Sequence, residues 1–208
     1  MDDATTKSTL LALGAATLGE SGALPMHHRL AAAWPGAAVA APAYPVRCSP
    51  ADNLAIHAAV TRAPEGSVLV VDASATPERG YWGEVLTTGA EARGLAGLVI
   101  DGGVRDLAAL ESHRFPVFAT MIVLRGATKE LPGTNGAPVE VGGVPVTAGD
   151  WVVADADGVV VIPGERLYVV IAAGQARAVK EEGLFTALRE GRTTVELLEL
   201  DTSLIVEG

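Results

Sequence analysis

Two short stretches contain the residues whose types and spacing can do chemistry. The first is Asp101-Gly102-Gly103-Val104-Arg105-Asp106, directly after the apolar run Gly97-Leu98-Val99-Ile100. Arg105 offers a planar fork suited to a carboxylate, and Asp106 a hard oxygen suited to Mg²⁺ or Mn²⁺. If the apolar run is a buried strand, Gly102 and Gly103 let the backbone turn sharply after it. The charged pair then falls at the sheet's carboxyl edge, where ligands commonly bind in α/β proteins. An isolated Arg-Asp pair is ordinarily a weak surface ion pair, so a second feature has to converge on it. Tyr81-Trp82-Gly83-Glu84-Val85-Leu86, at the expected start of a helix, is that feature. First-turn N–H groups lack intrahelical partners and carry partial positive charge, so those of Gly83, Glu84, Val85 and Leu86 can hold a substrate carboxylate. Glu84 would face the same loop, although taken alone it reads as an acid complementing the helix dipole. A dication, a guanidinium and a row of N–H groups suit an enolate, whose negative charge all three stabilise. No Schiff-base lysine is needed: of Lys7, Lys129 and Lys180, none lies between the two stretches.

The elements that must hold these residues follow from periodicity. Residues 4–19, with Leu10, Leu11, Leu13 and Leu18, predict an amphipathic helix ending near Gly19 and Gly22. Ala37 to Tyr44 reads as a strand cut by Pro42 and Pro45. Asp52 offers an N-cap for a helix over 53–62, followed by the turn Pro64-Glu65-Gly66 and the buried strand Val68-Leu69-Val70-Val71. Trp82 to Arg93 reads as a helix closed by Gly94, leading into the strand 97–100. After Pro116 the texture changes to short β segments at 139–141, 144–146, 151–153 and 159–162, with hairpin turns at Gly142-Gly143 and Asp157-Gly158. Gly164 to about Glu190 predicts a long helix. With no internal repeat or low-complexity linker, residues 1–208 read as one layered α/β domain. Its helical C-terminal segment, 164–208, can cap its own sheet or reach a neighbouring subunit.

Composition limits the function. The 208 residues are 49% hydrophobic but only 4% aromatic, so the core is built from small aliphatic side chains. A formal net charge of −10 argues against a nucleic-acid surface. The single Cys48 cannot form an internal disulfide and suits a reducing compartment. The acidic start Met1-Asp2-Asp3 and the lack of a long apolar run point to a cytoplasmic protein without a membrane partner. There is no G-x-G-x-x-G after a strand with an acid downstream, so an S-adenosylmethionine site is not supported.

Gly83-Glu84-Val85-Leu86 and, across residues 85–104, Arg105-Asp106 resemble the motif of the class II pyruvate aldolases. Those enzymes act on 4-hydroxy-4-methyl-2-oxoglutarate and 4-carboxy-4-hydroxy-2-oxoadipate. Their wider, RraA-like family also contains the regulator of ribonuclease activity A, a non-enzymatic inhibitor of ribonuclease E. The resemblance extends through Thr17-Leu18-Gly19-Glu20-Ser21-Gly22, Asp52-Asn53-Leu54-Ala55-Ile56-His57, residues 96–106 and Pro116-Val117-Phe118-Ala119, nearly the whole chain.

The resemblance implies an α/β fold, a layered αββα sandwich with a swivelling-domain-like β core, assembled as a homotrimer or homohexamer with sites between subunits. It implies that Asp106 binds a divalent metal cation, Mg²⁺ or Mn²⁺, that Arg105 contacts substrate, and that the peptide groups of Gly83 to Leu86 take the pyruvyl carboxylate. Glu84 would help to hold metal-bound water. Asn53 and His57 share one helix face near the site, though an ordinary helix-surface or core histidine fits His57 equally well. Glu181 resembles an acid donated across the subunit boundary, and Glu20 is a second candidate. A solvated charge run is the competing reading of Lys180-Glu181-Glu182. One departure is visible: the family pattern carries Asp where this chain has Glu84, and the extra methylene moves the carboxylate by about 1.5 Å.

The implied reaction cleaves a 4-hydroxy-2-oxo acid, a small 2-oxo acid substrate, to pyruvate and a second oxo acid. Oxaloacetate decarboxylase activity should accompany it, because loss of carbon dioxide leaves the same enolate. The alternative is a non-catalytic protein that binds and regulates a ribonuclease, which the acidic charge would suit. A regulator, however, has no need to keep Arg105, Asp106, Glu84 and the helix start together, so the enzyme is the favoured reading.

Overall fold

Side chains on successive strand residues point to opposite faces, and in this chain that alternation sorts the small aliphatic residues into separate cores. The computed structural model describes residues 2–206. It begins with α1 (Asp3–Gly19), the short strands β1 (Leu24–Pro25) and β2 (Ala31–Ala32), β3 (Val39–Arg47), α2 (Leu54–Arg62) and β4 (Val68–Asp72). Then come β5 (Gly80–Trp82), α3 (Glu84–Glu91), β6 (Gly97–Val104), α4 (Leu107–His113) and β7 (Val117–Ile122). The chain continues through β8 (Thr134–Asn135), β9 (Val139–Val141), β10 (Val144–Val146), β11 (Trp151–Asp155) and β12 (Gly158–Ile162), and ends with α5 (Leu167–Arg189) and α6 (Thr194–Leu197).

The main sheet has the order β1-β12-β11-β3-β4-β6-β7-β2, with β5 added to β6 and β8 to β3. Strands β3, β4, β6 and β7 are parallel, whereas β11 and β12 pair antiparallel. Eight strands laid flat would put β1 and β2 roughly 34 Å apart. Only residues 26–30 join them, a link that spans roughly 20 Å at most. The sheet therefore curls into a half-barrel. Val68 and Val70 of β4, Val99 of β6, Val152 of β11 and Val159 and Val161 of β12 fill its interior, together with the β9–β10 hairpin valines. The alternate residues Leu69, Val71, Leu98 and Ile100 face outward under α2, α3 and α4. Trp151, Val153, Val160 and Ile162 face outward under α1 and α5. Helices thus cover both outer faces of a folded-over sheet, which is the αββα layering.

Several expected boundaries move. Strand β3 runs through Pro42 and Pro45 to Arg47. A proline removes only a donor, and the Pro45 carbonyl still accepts from the Gly136 N–H at 2.8 Å. Helix α1 is broken at Gly14 (φ 76°, ψ 163°), where the Ala15 N–H leaves the helical pattern to donate to Asp155 Oδ2 at 2.8 Å. Tyr81 and Trp82 belong to β5, so α3 starts at Glu84 and ends at Glu91. Strand β6 does not end at Gly102-Gly103 but continues, buried throughout, to Val104. The two glycines serve close packing: a Cβ on Gly103 would lie 2.5 Å from the Arg79 carbonyl oxygen, and one on Gly102 3.0 Å from Ala73 Cβ. The hairpin turns at Gly142-Gly143 and Asp157-Gly158 are present as read.

Helix α5 packs on α1 only through its first turns, burying Leu167, Val170, Ile171 and Gly174. No described residue after Gly174 is buried, and Val179, Phe185 and Leu204 are exposed. Residues 207–208 of the expected 164–208 segment lie outside the described residues. Among the described residues no helix is long and apolar enough to cross a membrane.

Candidate functional site

The two chemically suggestive stretches meet because β5 and β6 are parallel neighbours. Trp82 pairs with Val104, and the Arg105 N–H donates to the Trp82 carbonyl at 3.0 Å. Both strands end at the same edge, so the start of α3 and the Arg105-Asp106 pair lie side by side. With the start of α2 and the loop at 126–129 they enclose a cavity of about 240 Å³. Asn53, His57, Gly83, Val85, Leu86, Arg105 and Asp106 all line it.

The sharp turn expected at the glycines occurs instead at Asp106, which adopts φ 61° and ψ 38° ahead of α4. Asp is among the few residues that tolerate this left-handed conformation. Asp106 Oδ2 accepts the Glu84 N–H at 3.1 Å and lies 3.7 Å from Arg105 Nε. The carboxylate thus already occupies one first-turn N–H of α3. Those of Val85 and Leu86, which also line the cavity, remain in the first turn, where no intrahelical acceptor exists. Gly83 permits the approach: a Cβ there would overlap Asp106 Oδ2 and come within 3.2 Å of Arg105 Cγ. Arg105 and Asp106 are 43% and 41% exposed, open enough to meet a ligand.

On the opposite wall, Asn53 Nδ2 donates to the Tyr81 carbonyl at 2.8 Å. Asn53 Oδ1 and His57 Nε2 are buried without protein partners. A buried polar atom left unpaired costs about 1–3 kcal/mol, and two such atoms on residues lining one cavity mark where ligand groups belong. Burial, and secondarily the charge of Lys129, lower the His57 pKa against the opposing pull of Asp52. His57 therefore presents a neutral ring at neutral pH.

Lys129 is the residue that sequence reasoning missed. It lies far from both stretches in the chain, yet it lines the cavity. Asp52, read only as a helix cap, holds it there. The buried Asp52 carboxylate accepts from the Leu54 N–H (2.9 Å), Thr128 Oγ1 (2.7 Å), the Glu130 N–H (2.6 Å) and the Leu131 N–H (3.1 Å), so it bridges α2 to the Lys129 loop. Burial alone would raise the Asp52 pKa, but these hydrogen bonds outweigh it and hold the pKa at about 2. The cap residue itself is Asn53, which makes no side-chain capping bond.

The remaining candidates do not line the cavity. The Glu84 side chain is 58% exposed, and its carboxylate leans toward His113 Nε2 at 3.8 Å instead of facing the cavity as expected. Glu20 and Glu181 both pair with Arg177 where α1 meets α5. Cys48 is buried, and burial, then the nearby Asp52 and Asp72 charges, push its pKa up to about 12, so the thiol stays protonated.

As for a metal, no group of three or more His, Cys, Asp or Glu that could hold an ion occurs among the described residues. Asp106 is the one carboxylate lining the cavity. That donor set fits a hard, water-rich cation such as Mg²⁺, which is often held by one or two carboxylates plus ligand oxygens.

Residues 12–161 match the RraA-like family, Aldolase/RraA. A protein of Halalkalibacterium halodurans with the provisional name 4-hydroxy-4-methyl-2-oxoglutarate aldolase is 38% identical over 125 residues, covering 60% of this chain and 60% of that protein. The chain thus spans less than two thirds of that relative's length. An uncharacterized protein from Pseudomonas syringae pv. tomato superimposes with a TM-score of 0.83 at 25% identity, over 92% of both chains. RraAS2 of Streptomyces coelicolor, described as an unusual member of the RNase ES inhibitor RraA protein family, gives a TM-score of 0.76 at 27% identity, over 91% of this chain and 100% of its own. Since the matched residues run from α1 to β12 and include both halves of the cavity, the chain belongs to the RraA-like family.

Proposed function

We propose that this chain is a divalent-metal-dependent carbon–carbon lyase that cleaves 4-hydroxy-2-oxo acids to pyruvate and a second oxo acid, and also decarboxylates oxaloacetate. The observation that carries the reading is the convergence of Arg105, Asp106 and the first turn of α3 on one cavity with two unpaired polar atoms. The Val85 and Leu86 N–H groups take the substrate carboxylate, and Arg105 lies over the developing negative charge. Asp106 holds the Mg²⁺ or Mn²⁺, which supplies Lewis-acid polarisation of the 2-oxo group. Water held by Glu84 removes the proton from the 4-hydroxyl. The C3–C4 bond breaks, its electron pair becomes the enolate, C4 leaves as a carbonyl, and protonation at C3 gives pyruvate. Lys129, on the far wall, is placed to read a second carboxylate on the departing fragment.

In this reading the exposed half of α5 reaches a neighbouring copy in a homotrimer or homohexamer, bringing Glu181 or Glu20 to that copy's site. The enzyme works in the cytoplasm, where Cys48 stays reduced.

Purified protein mixed with oxaloacetate or 4-hydroxy-4-methyl-2-oxoglutarate and Mg²⁺ should release pyruvate, and a chelator should stop it. Asp106→Ala and Arg105→Ala should each abolish turnover with unchanged circular dichroism. Chelator-resistant turnover, or either variant at wild-type rate, overturns the assignment. A second reading, a non-catalytic ribonuclease regulator, draws on the likeness to RraAS2 and the net charge of −10. It predicts no pyruvate from any substrate and saturable binding to a ribonuclease.

A further inference from the structure

Outside the cavity, the most organised polar cluster lies between α3 and α4. Glu84 and Glu91 are two turns apart on α3 and so share a face. His113, the last residue of α4, sits against both. Its Nδ1 is 2.7 Å from Glu91 Oε2, and its Nε2 is 3.8 Å from Glu84 Oε1. Exposure rises along this line: the side chains of His113, Glu91 and Glu84 are 27%, 35% and 58% exposed. The Glu91–His113 contact is therefore the anchor and Glu84 the free end.

Pairs this exposed contribute little to stability, so holding the fold together does not account for the cluster. Its position does. Glu84 is the first residue of α3, and its N–H is bound by Asp106 Oδ2 at 3.1 Å. The backbone of Glu84 is thus fixed by the cavity, while its carboxylate is directed by a ring outside it. We propose that His113, oriented by Glu91, is a positioning residue that sets where the Glu84 carboxylate stands at the lip of the cavity.

This inference rests on the lyase reading above, in which Glu84 holds the water that takes the substrate proton. An imidazole with one N–H can satisfy only one carboxylate, and the short contact commits it to Glu91. At 3.8 Å the Glu84 contact is longer than a hydrogen bond; it is an electrostatic tether that leaves the side chain able to swing. The longer side chain of Glu, where the family pattern has Asp, supplies the reach toward His113. The charged groups facing the ring are Glu84 and Glu91 from α3, with Glu111 and Arg114 beside it in sequence.

Steady-state oxaloacetate decarboxylation by the full chain at saturating Mg²⁺ tests the proposal. His113→Ala should lower kcat roughly tenfold, the scale seen when groups that orient a site residue are removed, with KM nearly unchanged. Glu91→Gln should act in the same direction but less, and His113→Gln, which keeps a donor, should recover part of the loss. Because His113 acts through Glu84, adding His113→Ala to Glu84→Gln should change kcat by less than about twofold. Melting temperatures of all variants show whether any has simply lost its fold, and Glu91→Gln and His113→Gln carry the test if His113→Ala has. Wild-type kcat in His113→Ala, an equal loss in the Glu84→Gln background, or a rise confined to KM overturns the positioning role and leaves the lyase reading intact. Absence of turnover in the wild type overturns both.

Discussion

Gly83→Ala isolates one geometric requirement of the site from every other. Gly83 has φ −173° and ψ −165°, extended backbone that alanine adopts freely, so the change introduces no dihedral strain. Its whole effect is the added methyl. That Cβ would overlap Asp106 Oδ2 and sit 3.2 Å from both Asp106 Cγ and Arg105 Cγ. Restoring ordinary contact requires the carboxylate to retreat by about 1 Å. The Glu84 N–H to Asp106 Oδ2 bond, now 3.1 Å, would then break. A misplacement of about 1 Å in a reacting assembly costs on the order of 100-fold in rate. The stability cost should be small, because Asp106 is 41% exposed and can move into solvent. About 1 kcal/mol, the low end for overpacking, corresponds to a fall of roughly 2–4 °C in Tm for a chain of this size. Gly126→Ala is the matched control, since its Cβ would meet Arg105 Nη1 at an ordinary 3.4 Å. Pyruvate release from oxaloacetate, followed with melting curves for both variants, reads the result. A Gly83→Ala enzyme within threefold of wild type would refute the claim that Asp106 must stand against the start of α3.

Two further perturbations probe the wall that carries Lys129. Borohydride added during oxaloacetate turnover should neither inactivate the enzyme nor add mass, although an ammonium lines the cavity; a reduced adduct on Lys129 would replace the metal-dependent route with a Schiff base. Asp52→Asn should cost about 1–3 kcal/mol in denaturant unfolding, since an amide brings its own donors to an oxygen that now faces two N–H groups and a hydroxyl. The folded-state pKa of Asp52, about 2, lies below its ordinary value of 3.8. Its contribution is therefore fully present above about pH 4 and lost as the pH falls through 2. Wild type should lose its advantage over Asp52→Asn across that window, and parallel stability curves would show that the Asp52 carboxylate does not anchor the loop.

What could be read from the sequence, and what could not, divides along one physical line. Gly83, Arg105 and Asp106 were legible because a continuous apolar run such as Leu98-Val99-Ile100 is a buried strand, and parallel neighbours end at the same edge. The αββα layering was legible from the family resemblance, and the period-two burial of β4, β6, β11 and β12 realises it. The role of Gly102-Gly103 was misread because a glycine that turns and a glycine that admits a neighbour look alike in sequence. Only the Arg79 carbonyl oxygen and Ala73, each pressed against one of them, tell the two apart. The direction of the Glu84 side chain was hidden for a similar reason: His113, which it leans toward, belongs to the next helix. Lys129 was the costliest omission, and the mechanism of its placement explains it. No local pattern fixes the 126–129 loop; its position is set by Asp52, which binds Thr128, Glu130 and Leu131 across 76 to 79 residues of chain. An acid just before a helix invites the capping interpretation and stops the search there. Since the Asp52 carboxylate has four donors around it and a helix start accounts for one, the other three point to a second segment brought into the site.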